Sequence, residues 1–504
     1  MSLLGIDVGT TGCKAAVFSD SGQMLALGYE EYDFYHPQPG WAQLDSNEVW
    51  LKVKTAIRAA VAGSGADPVQ ALSVSSLGES VVPIKLDGQV LGPSLLNFDT
   101  RGAEYIEQLR PQIEDERIYR INGNTLGNQY GMTKLMWLKD QQPGLYERAD
   151  KFLLWASFIQ FMLGAEPVVD YALANRTLLF DLDRKDWSAE MLRLADLDED
   201  KLPSTAPCGT VIGRVLASVA EELGLPAKVE IVLGTHDQCA NALGCGVIED
   251  GLAVYGLGTY ICITPVFKER LDPGFMIERG LNTQHHAAPG RYVSFIYNQG
   301  GSLVKWYRNT FAAAEYQQAR LTGRDIYADL IAEIPDMPGR VLVVPHFAVT
   351  GPPSFITNSS GVLAGLHLET QRGEVLRGIL EGTAFYIKEC IDGLSGTLIR
   401  TDEFRVVGGG ARSDTWIQLS ANIMGRPIVR PVNTEAGALG AALIAGVGTG
   451  SYSSFEAGVG AMVSLERTFE PEPGQQKRLQ VQYERYKRLW RLMEGFWGEQ
   501  QELE

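Results

Sequence analysis

The sequence predicts an α/β chain, with one compact unit closing near Gly246 and strands beginning again after it. Residues 229–260 give the first reason. Val229, Ile231, Val232 and Leu233 form a short apolar run rich in β-branched side chains, which reads as a buried strand. Gly234 ends the run, Asp237 stands just beyond it, and small residues suited to a helix continue to Gly246. In open α/β sheets the carboxyl ends of the strands are where ligands bind. Asp237 also fits a simple helix cap. The second reason is a repeated device, a strand, a glycine–threonine turn and a strand, at residues 3–18 and again at 252–266. The third is scale: 504 residues, 45% hydrophobic and 21% charged, suit an ordinary globular chain of roughly two to four domains.

The net charge is −17, with the acids spread rather than in runs. That argues against a nucleic-acid or anionic-membrane surface. A polyphosphate bound here has to be held by backbone N–H groups, a metal and a few local cations. Cys13, Cys208, Cys239, Cys245, Cys262 and Cys390 form no CxxC pair and no Cys/His cluster. Reduced thiols in a cytoplasm are therefore expected, without zinc. Neither a secretory leader nor a membrane span is expected from the sequence.

Residues 3–32 read as three strands. Gly9-Thr10-Thr11-Gly12 joins the first two, offering N–H groups and hydroxyls to an anion, although a plain glycine-rich hairpin fits the same residues. Asp7 ends the first strand beside this turn, where it can hold Mg²⁺ through water. Asp45 and Glu48 have capping-box spacing ahead of a helix whose apolar face is Val49, Trp50, Val53, Ile57 and Val61. A strand over 69–75 runs into Leu77-Gly78-Glu79-Ser80. Glu79, Asp99 and Arg101 lie just past apolar strands, positions suited to hydroxyl recognition or to surface ion pairing. Residues 131–138 open a helix, 149–163 form another amphipathic stretch, and 170–181 read as a loop with an extended run. A compact unit closes near Gly246, which divides the chain into 1–246 and 247–504.

In the second part, Gly256-Leu257-Gly258-Thr259 repeats the turn chemistry of the amino terminus. Asn298-Gln299-Gly300-Gly301-Ser302 leads into a helix, and 374–394 read as a long helix containing Glu381-Gly382. A strand at 404–407 ends in Gly408-Gly409-Gly410-Ala411-Arg412-Ser413, a connection that lets a ligand approach the backbone closely or simply turns the chain. Residues 435–442 are a small-residue helix built for close packing, and 475–500 form a charged, aromatic-studded helix. There is no GxxxxGKS/T phosphate loop, no GxGxxG after the first strand, no HExxH and no GxSxG.

Taken in order, these stretches resemble the FGGY family of carbohydrate kinases, within the actin-like and hexokinase-like ATPase superfamily. The resemblance covers nearly the whole chain. Gly5-Ile6-Asp7-Val8-Gly9-Thr10-Thr11 resembles the family's first phosphate hairpin, and Pro39-Gly40-Trp41-Ala42-Gln43 its Pro-Gly-Trp-Ala segment. Gly234-Thr235-His236-Asp237-Gln238 is similar to the loop holding the catalytic Asp, and Gly256-Leu257-Gly258-Thr259 to the second phosphate loop. Residues 361–366 with Glu381-Gly382 resemble the C-terminal motif, and 408–413 with 435–442 the adenosine end.

The resemblance implies two ribonuclease H-like (actin-like ATPase) domains around a cleft. Residues 1–246 would bind the sugar and carry the first phosphate hairpin, and 247–504 would bind the nucleotide. It implies ATP and Mg²⁺, with Asp237 as general base and Asp7 positioning the metal. Thr10, Thr11, Gly258 and Thr259 would hold phosphates, and Gly300, Gly409, Gly410 and Ser413 would line the nucleotide side. Glu79, Asp99, Arg101 and Gln238 would read hydroxyls of a sugar or polyol. The resemblance leaves room for a homodimer.

This sequence also departs from the family. Gly131 stands where a Pro, Ser or Thr is common, and the loop Leu77-Gly78-Glu79-Ser80 differs from the Gly-Gln-Met-His of xylulokinases and the Gln-Arg-Glu of glycerol kinases. Gln238 follows the catalytic Asp as in glycerol kinases. A ketose such as xylulose is the expected acceptor. The competing readings are an actin-like, nucleotide-switched binding protein and a non-catalytic sugar sensor.

Overall fold

The computed structural model describes residues 2–65 and 67–501. The first sheet consists of β1 (Ser2–Val8), β2 (Gly12–Ser19), β3 (Met24–Glu31), β4 (Val69–Ser76), β5 (Val211–Arg214) and β6 (Glu230–His236), in the order β5-β6-β4-β1-β2-β3. β1 to β3 form an antiparallel meander, while β4 lies parallel to β1 and β6 parallel to β4. All of β1 is buried except Asp7, which is half-buried, as expected of a strand covered on both faces.

The second sheet repeats this plan. β7 (Gly251–Leu257) pairs antiparallel with β8 (Tyr260–Phe267). Short strands β9 (Gln284–His285), β10 (Tyr292–Val293) and β11 (Ile296–Gln299) follow, then β12 (Thr401–Val407), β13 (Ile428–Pro431) and β14 (Leu465–Phe469). The order is β9-β10-β8-β7-β12-β13-β14, with β11 also on β8. β7 is antiparallel to β8 and parallel to β12, as β1 is to β2 and β4. The turn chemistry repeated in the sequence thus belongs to a repeated sheet.

The helices include α1 (Ser46–Gly63), α2 (Tyr171–Asn175), α3 (Asp237–Gly244), α4 (Gly301–Phe311), α5 (Arg372–Asp392), α6 (Asp414–Met424) and α7 (Ala436–Gly448), with further helices between them and a terminal helix at Pro473–Gln501. Three details differ from the sequence reading. Asp45 caps α1, but Glu48 accepts the Tyr35 hydroxyl at 2.5 Å instead of closing a capping box. Residues 149–163 split into the strand Lys151–Leu154, which pairs with Val81–Ile84, and the helix Trp155–Leu163. Residues 170–181 contain a helix, because Asp170 accepts the N–H groups of Ala172 and Leu173 and so starts α2.

α7 belongs to the later part of the chain but packs on β1, β4 and β6 of the first sheet and crosses α3. The crossing brings backbone onto backbone. A Cβ on Gly440 would stand 1.9 Å from the Ala240 carbonyl oxygen, and one on Gly244 1.9 Å from that of Ala436. A Cβ on Gly5 of β1 would stand 1.8 Å from the Ala438 oxygen. Around this crossing one apolar cluster joins both parts of the chain, including Leu3, Phe18, Val232, Leu243, Val254, Leu439 and Leu443. Among the described residues no helix is long and apolar enough to cross a membrane.

The crossing predicts opposite outcomes for two helical glycines. Gly440→Ala drives a methyl into backbone and should destabilise by about 1–3 kcal/mol. Gly460→Ala, where a Cβ meets nothing within 4 Å, should stabilise by about 0.5–1 kcal/mol from helix propensity alone. Thermal melting of the two variants checks this; equal shifts would refute the close crossing.

Candidate active site

β6 delivers Asp237 to the cleft. Gly234 has no room for a side chain, since its Cβ would lie 1.8 Å from the Val74 oxygen on β4. The ladder between β6 and β4 slips between Val232 and Thr235, an irregularity of the kind that re-aims a strand end. Asp237 is the first residue of α3, and 26% of its side chain is exposed. Burial, then the charges of Asp7 and Glu79, push its carboxyl up to about 8, against hydrogen bonds from Gln238 that favour the carboxylate. Three acids therefore converge, one each from β1, the loop after β4, and α3.

Asp7 ends β1. Its Oδ1 accepts the Ser75 hydroxyl at 2.7 Å, and a Cβ on Gly437 would stand 2.7 Å from its Oδ2. The carboxylate thus lies against the first turn of α7, where the helix dipole favours negative charge. Burial raises the Asp7 carboxyl from its ordinary range, opposed by Ser75 and Lys14. Lys14 on β2 pairs with Glu435, just before α7, at 2.5 Å. In the adjoining turn Gly9 N–H donates to Gly12 O at 2.9 Å, and the Tyr32 hydroxyl donates to Gly9 O at 2.6 Å. Among the described residues the amides of Thr10 and Thr11 have no backbone acceptor, as a turn that binds an anion requires.

The second turn is braced by the start of α4. Gly300 and Ser302 donate to Thr259 O, both at 3.1 Å, and Gly301 donates to Gly258 O at 2.9 Å. A Cβ on Gly408, whose φ is +91°, would stand 2.8 Å from Leu257 O. Gly258, Thr259, Gly300 and the 408–410 turn therefore share one surface. Within it the glycines differ. Gly409 opens to empty space, whereas a Cβ on Gly410 would meet Leu257 Cβ at 2.8 Å and the Trp416 ring at 2.9 Å. Packing alone explains a glycine at 410. Ser413 is committed as the cap of α6, accepting Trp416 N–H at 3.2 Å, so its hydroxyl is a structural group.

On the acceptor side Glu79 adopts φ +64°, a left-handed conformation that costs energy for a side-chain-bearing residue. Arg176, just after α2, holds it there: Nε donates to Oε1 at 2.7 Å and Nη2 donates to the same oxygen. The guanidinium lies 5.1 Å from the Tyr130 ring centroid and 5.7 Å from that of Phe295. Glu79 Oε2 accepts no hydrogen bond among the described residues.

Asp99 and Arg101 correct an expectation. They are 1% and 4% exposed and are spent on each other. Asp99 Oδ2 accepts Arg101 Nη2 and Ala42 N–H, each at 2.6 Å, and Arg101 Nη2 also donates to Gln43 Oε1 at 2.9 Å. The guanidinium stacks 4.2 Å from Trp41. Lys134, 1% exposed, donates to the carbonyls of Asp99 at 2.5 Å and Arg101 at 2.8 Å, and burial lowers its amine to about 8. The cluster is a clamp that fixes the loop, with no surface left for a substrate hydroxyl. The sequence reading missed Arg176, His236 and Lys134. The one available signal for His236 was its place directly before Asp237; Arg176 carried none beyond a cation in a mixed stretch.

Among the described residues no group of three or more His, Cys, Asp or Glu could hold a metal. Mg²⁺ that arrives on phosphates needs only one or two carboxylates besides water, so Asp7 and its neighbours fit that role.

Residues 2–244 match the N-terminal domain of the FGGY family of carbohydrate kinases, and residues 276–449 match its C-terminal domain. The glycerol kinase of Bordetella parapertussis is 31% identical over 494 residues, covering 93% of this chain and 92% of its own. Among solved structures, the xylulose kinase from Rhodospirillum rubrum overlays with a TM-score of 0.86 at 24% identity, covering 99% of this chain and 100% of its own. Plasmodium falciparum glycerol kinase with ADP overlays at 0.85 and 19% identity, covering 97% and 98%. These two likenesses show the fold: two actin-like domains around a cleft.

The clamp generates a test. Arg101→Met leaves the Asp99 carboxylate buried and unpaired, which should cost about 3–5 kcal/mol of stability. Denaturant unfolding measures it; a variant as stable as the parent would return Arg101 to the cleft.

Proposed function

The chain belongs to the FGGY family of carbohydrate kinases and is a sugar or polyol kinase, and from that premise we propose that it moves the γ-phosphoryl group of ATP to a hydroxyl of a short, neutral polyol or ketose, with Asp237 as general base. The observation that carries this is the position of Asp237. It begins α3 at the end of a buried strand, partly open to the cleft, with Asp7 and Glu79 as its acidic neighbours.

An alcohol is a poor nucleophile at neutral pH, and its proton must leave as the bond to phosphorus forms. A carboxylate within hydrogen-bond reach accepts that proton and aligns the oxygen for in-line attack. Glu79, held rigid by Arg176, presents Oε2 to a second hydroxyl, and Gln238 favours the base form of Asp237. The amides of Thr10 and Thr11 on one side, and Gly258, Thr259, Gly300 and Gly409 on the other, are proposed to receive the phosphates and the nucleotide. Mg²⁺ would be held through Asp7 and would supply charge neutralisation at the phosphates. The proposed division into an acceptor-binding part, 1–246, and a nucleotide-binding part, 247–504, follows the same assignment.

For the acceptor, the acids argue for a neutral molecule: Asp7, Glu79 and Asp237 gather near two cations, Arg176 and Lys14, that are already paired with Glu79 and Glu435. Like charge disfavours an aldonate. Xylulose remains the first ketose to assay, and Gln238, shared with glycerol kinases, puts glycerol beside it. ADP release screened over ketopentoses, ketohexoses, aldonates and polyols tests the proposal. Release that ignores every acceptor would favour a nucleotide switch instead.

Two outcomes are expected of Asp237. Asp237→Asn should lower kcat by about 10²–10⁴-fold with ATP affinity retained. The raised carboxyl, at about 8, sets the sign of the pH dependence: the base exists above that value and is lost below it. In the parent, kcat/KM for the acceptor should therefore climb about tenfold per pH unit below 8 and level off above it, and the limb should vanish in Asp237→Asn. A flat parental profile from pH 6 to 9 would remove Asp237 from the proton transfer.

A further inference from the structure

We propose that His236 is a positioning residue for Asp237: its neutral Nε2–H donates to the base's carboxylate, and Gln284 from the opposite part of the chain holds it in that tautomer. The inference rests on the kinase reading above and adds a residue to it.

His236 is 6% exposed, and its Nε2 stands 3.2 Å from Asp237 Oδ1. Burial and the nearby Arg176 keep the imidazole neutral, holding its pKa well below the usual range. A neutral imidazole carries one proton, and the partner of its other nitrogen decides where. Here Nδ1 lies 3.1 Å from Gln284 Nε2, and the same amide nitrogen lies 3.3 Å from Cys239 Sγ. The Cys239 thiol gives its proton to His285 O at 3.5 Å, so the sulfur offers Gln284 only lone pairs. The Gln284 group that faces both the sulfur and Nδ1 is then the NH₂, an orientation that leaves its buried Oε1 without a partner among the described residues. Nδ1 is thereby an acceptor, and the ring proton resides on Nε2, facing Asp237.

The surroundings leave the ring no second place. Phe295 packs edge-on at 5.6 Å, and a Cβ on Gly78 would stand 3.1 Å from Nε2. Gly78 is thus glycine partly to admit His236. The charged and titratable groups around His236 and Asp237 are Asp7 from β1, Glu79 from the loop, Arg176 after α2, Cys239 on α3 and Cys262 from β8. His236 is the neutral donor among them. A hydrogen bond aligned on Oδ1, 3.2 Å away, leaves Oδ2 for the acceptor hydroxyl. Gln284 lies on β9 and His236 on β6, so the base is aligned only while the two sheets stay apposed at this point.

The test compares His236→Leu, His236→Gln and Gln284→Leu in the full-length enzyme, with the acceptor found in the ADP-release screen. His236→Leu should lower kcat by about 10–100-fold with the KM for ATP within about twofold. It should also move the pH limb of kcat/KM upward by about one pH unit, because the carboxylate loses a donor. His236→Gln, whose amide nitrogen reaches the position of Nε2, should restore most of kcat and return the limb. Gln284→Leu, outside the cleft, should shift the limb in the same direction by freeing the other tautomer. A parental kcat and limb in either His236→Leu or Gln284→Leu overturns the proposal, as does His236→Gln behaving like His236→Leu. If His236→Leu does not fold, the other two variants decide. A parent that phosphorylates no acceptor would instead refute the kinase reading, and Asp237→Asn as a control separates the two failures.

Discussion

Everything in the cleft depends on two helices being allowed to touch. α3 and α7 cross with Gly244 and Gly440 against the backbones of Ala436 and Ala240, and Gly5 lets β1 meet Ala438 in the same way. Side chains at those positions would push the helices apart by the thickness of a methyl group or more. The contact runs antiparallel, 240 against 440 and 244 against 436, with Asp237 opening α3 and Asp7 lying against the first turn of α7. Helix dipoles favour carboxylates at such points. This partly offsets the cost of grouping three acids in a protein of net charge −17. The remaining strain is visible in the raised Asp237 carboxyl.

The legibility of the site follows from how each residue is held. The placement of Asp237, Asp7 and the two glycine–threonine turns at strand ends was readable because strand ends and glycines write their geometry locally, within five or six residues. Asp99 and Arg101 were misread because spacing alone cannot separate a pair facing a cleft from a pair facing each other. Trp41, Gln43 and Lys134, 33 to 60 residues from Arg101, decide that they face each other. Ser413 failed for a smaller reason: a serine before a helix is a cap as readily as a ligand group. Arg176 and His236 were invisible for the converse reason. Each acts through a partner distant in sequence, Glu79 at a separation of 97 residues and Gln284 at 48. Periodicity carries no trace of such a pairing. The fold, by contrast, was readable nearly throughout, because both sheets announce themselves by the same strand–turn–strand beginning.

Asp170 ties these two groups into one unit. It caps α2, which ends beside Arg176, and its Oδ2 accepts the Thr235 hydroxyl at 2.6 Å from the strand that ends at His236. Burial raises its carboxyl to about 6, against those hydrogen bonds. One buried carboxylate thus links the helix that orients Glu79 to the strand that presents Asp237. The proposed acceptor-reading side and the proposed base are thereby tied through one side chain.

The duplicated sheet assigns different work to equivalent strands. In the first sheet the strand beyond the parallel pair, β6, ends in His236 and Asp237. In the second, β13 ends in the lead-in to α7, which returns across the cleft and packs on the first sheet. The chain's late helix therefore completes the environment of its earliest acid: Gly437 sits on Asp7, and Glu435 anchors Lys14 of the first hairpin. Neither half owns the site. A first part folded alone would carry Asp7 and Asp237 on a sheet missing its covering helix, with Leu3, Val232 and Leu243 stripped of Leu439 and Leu443. Both acids have their full surroundings only with residues 436–448 docked, so this corner is a product of both parts of the chain rather than a property of either sheet.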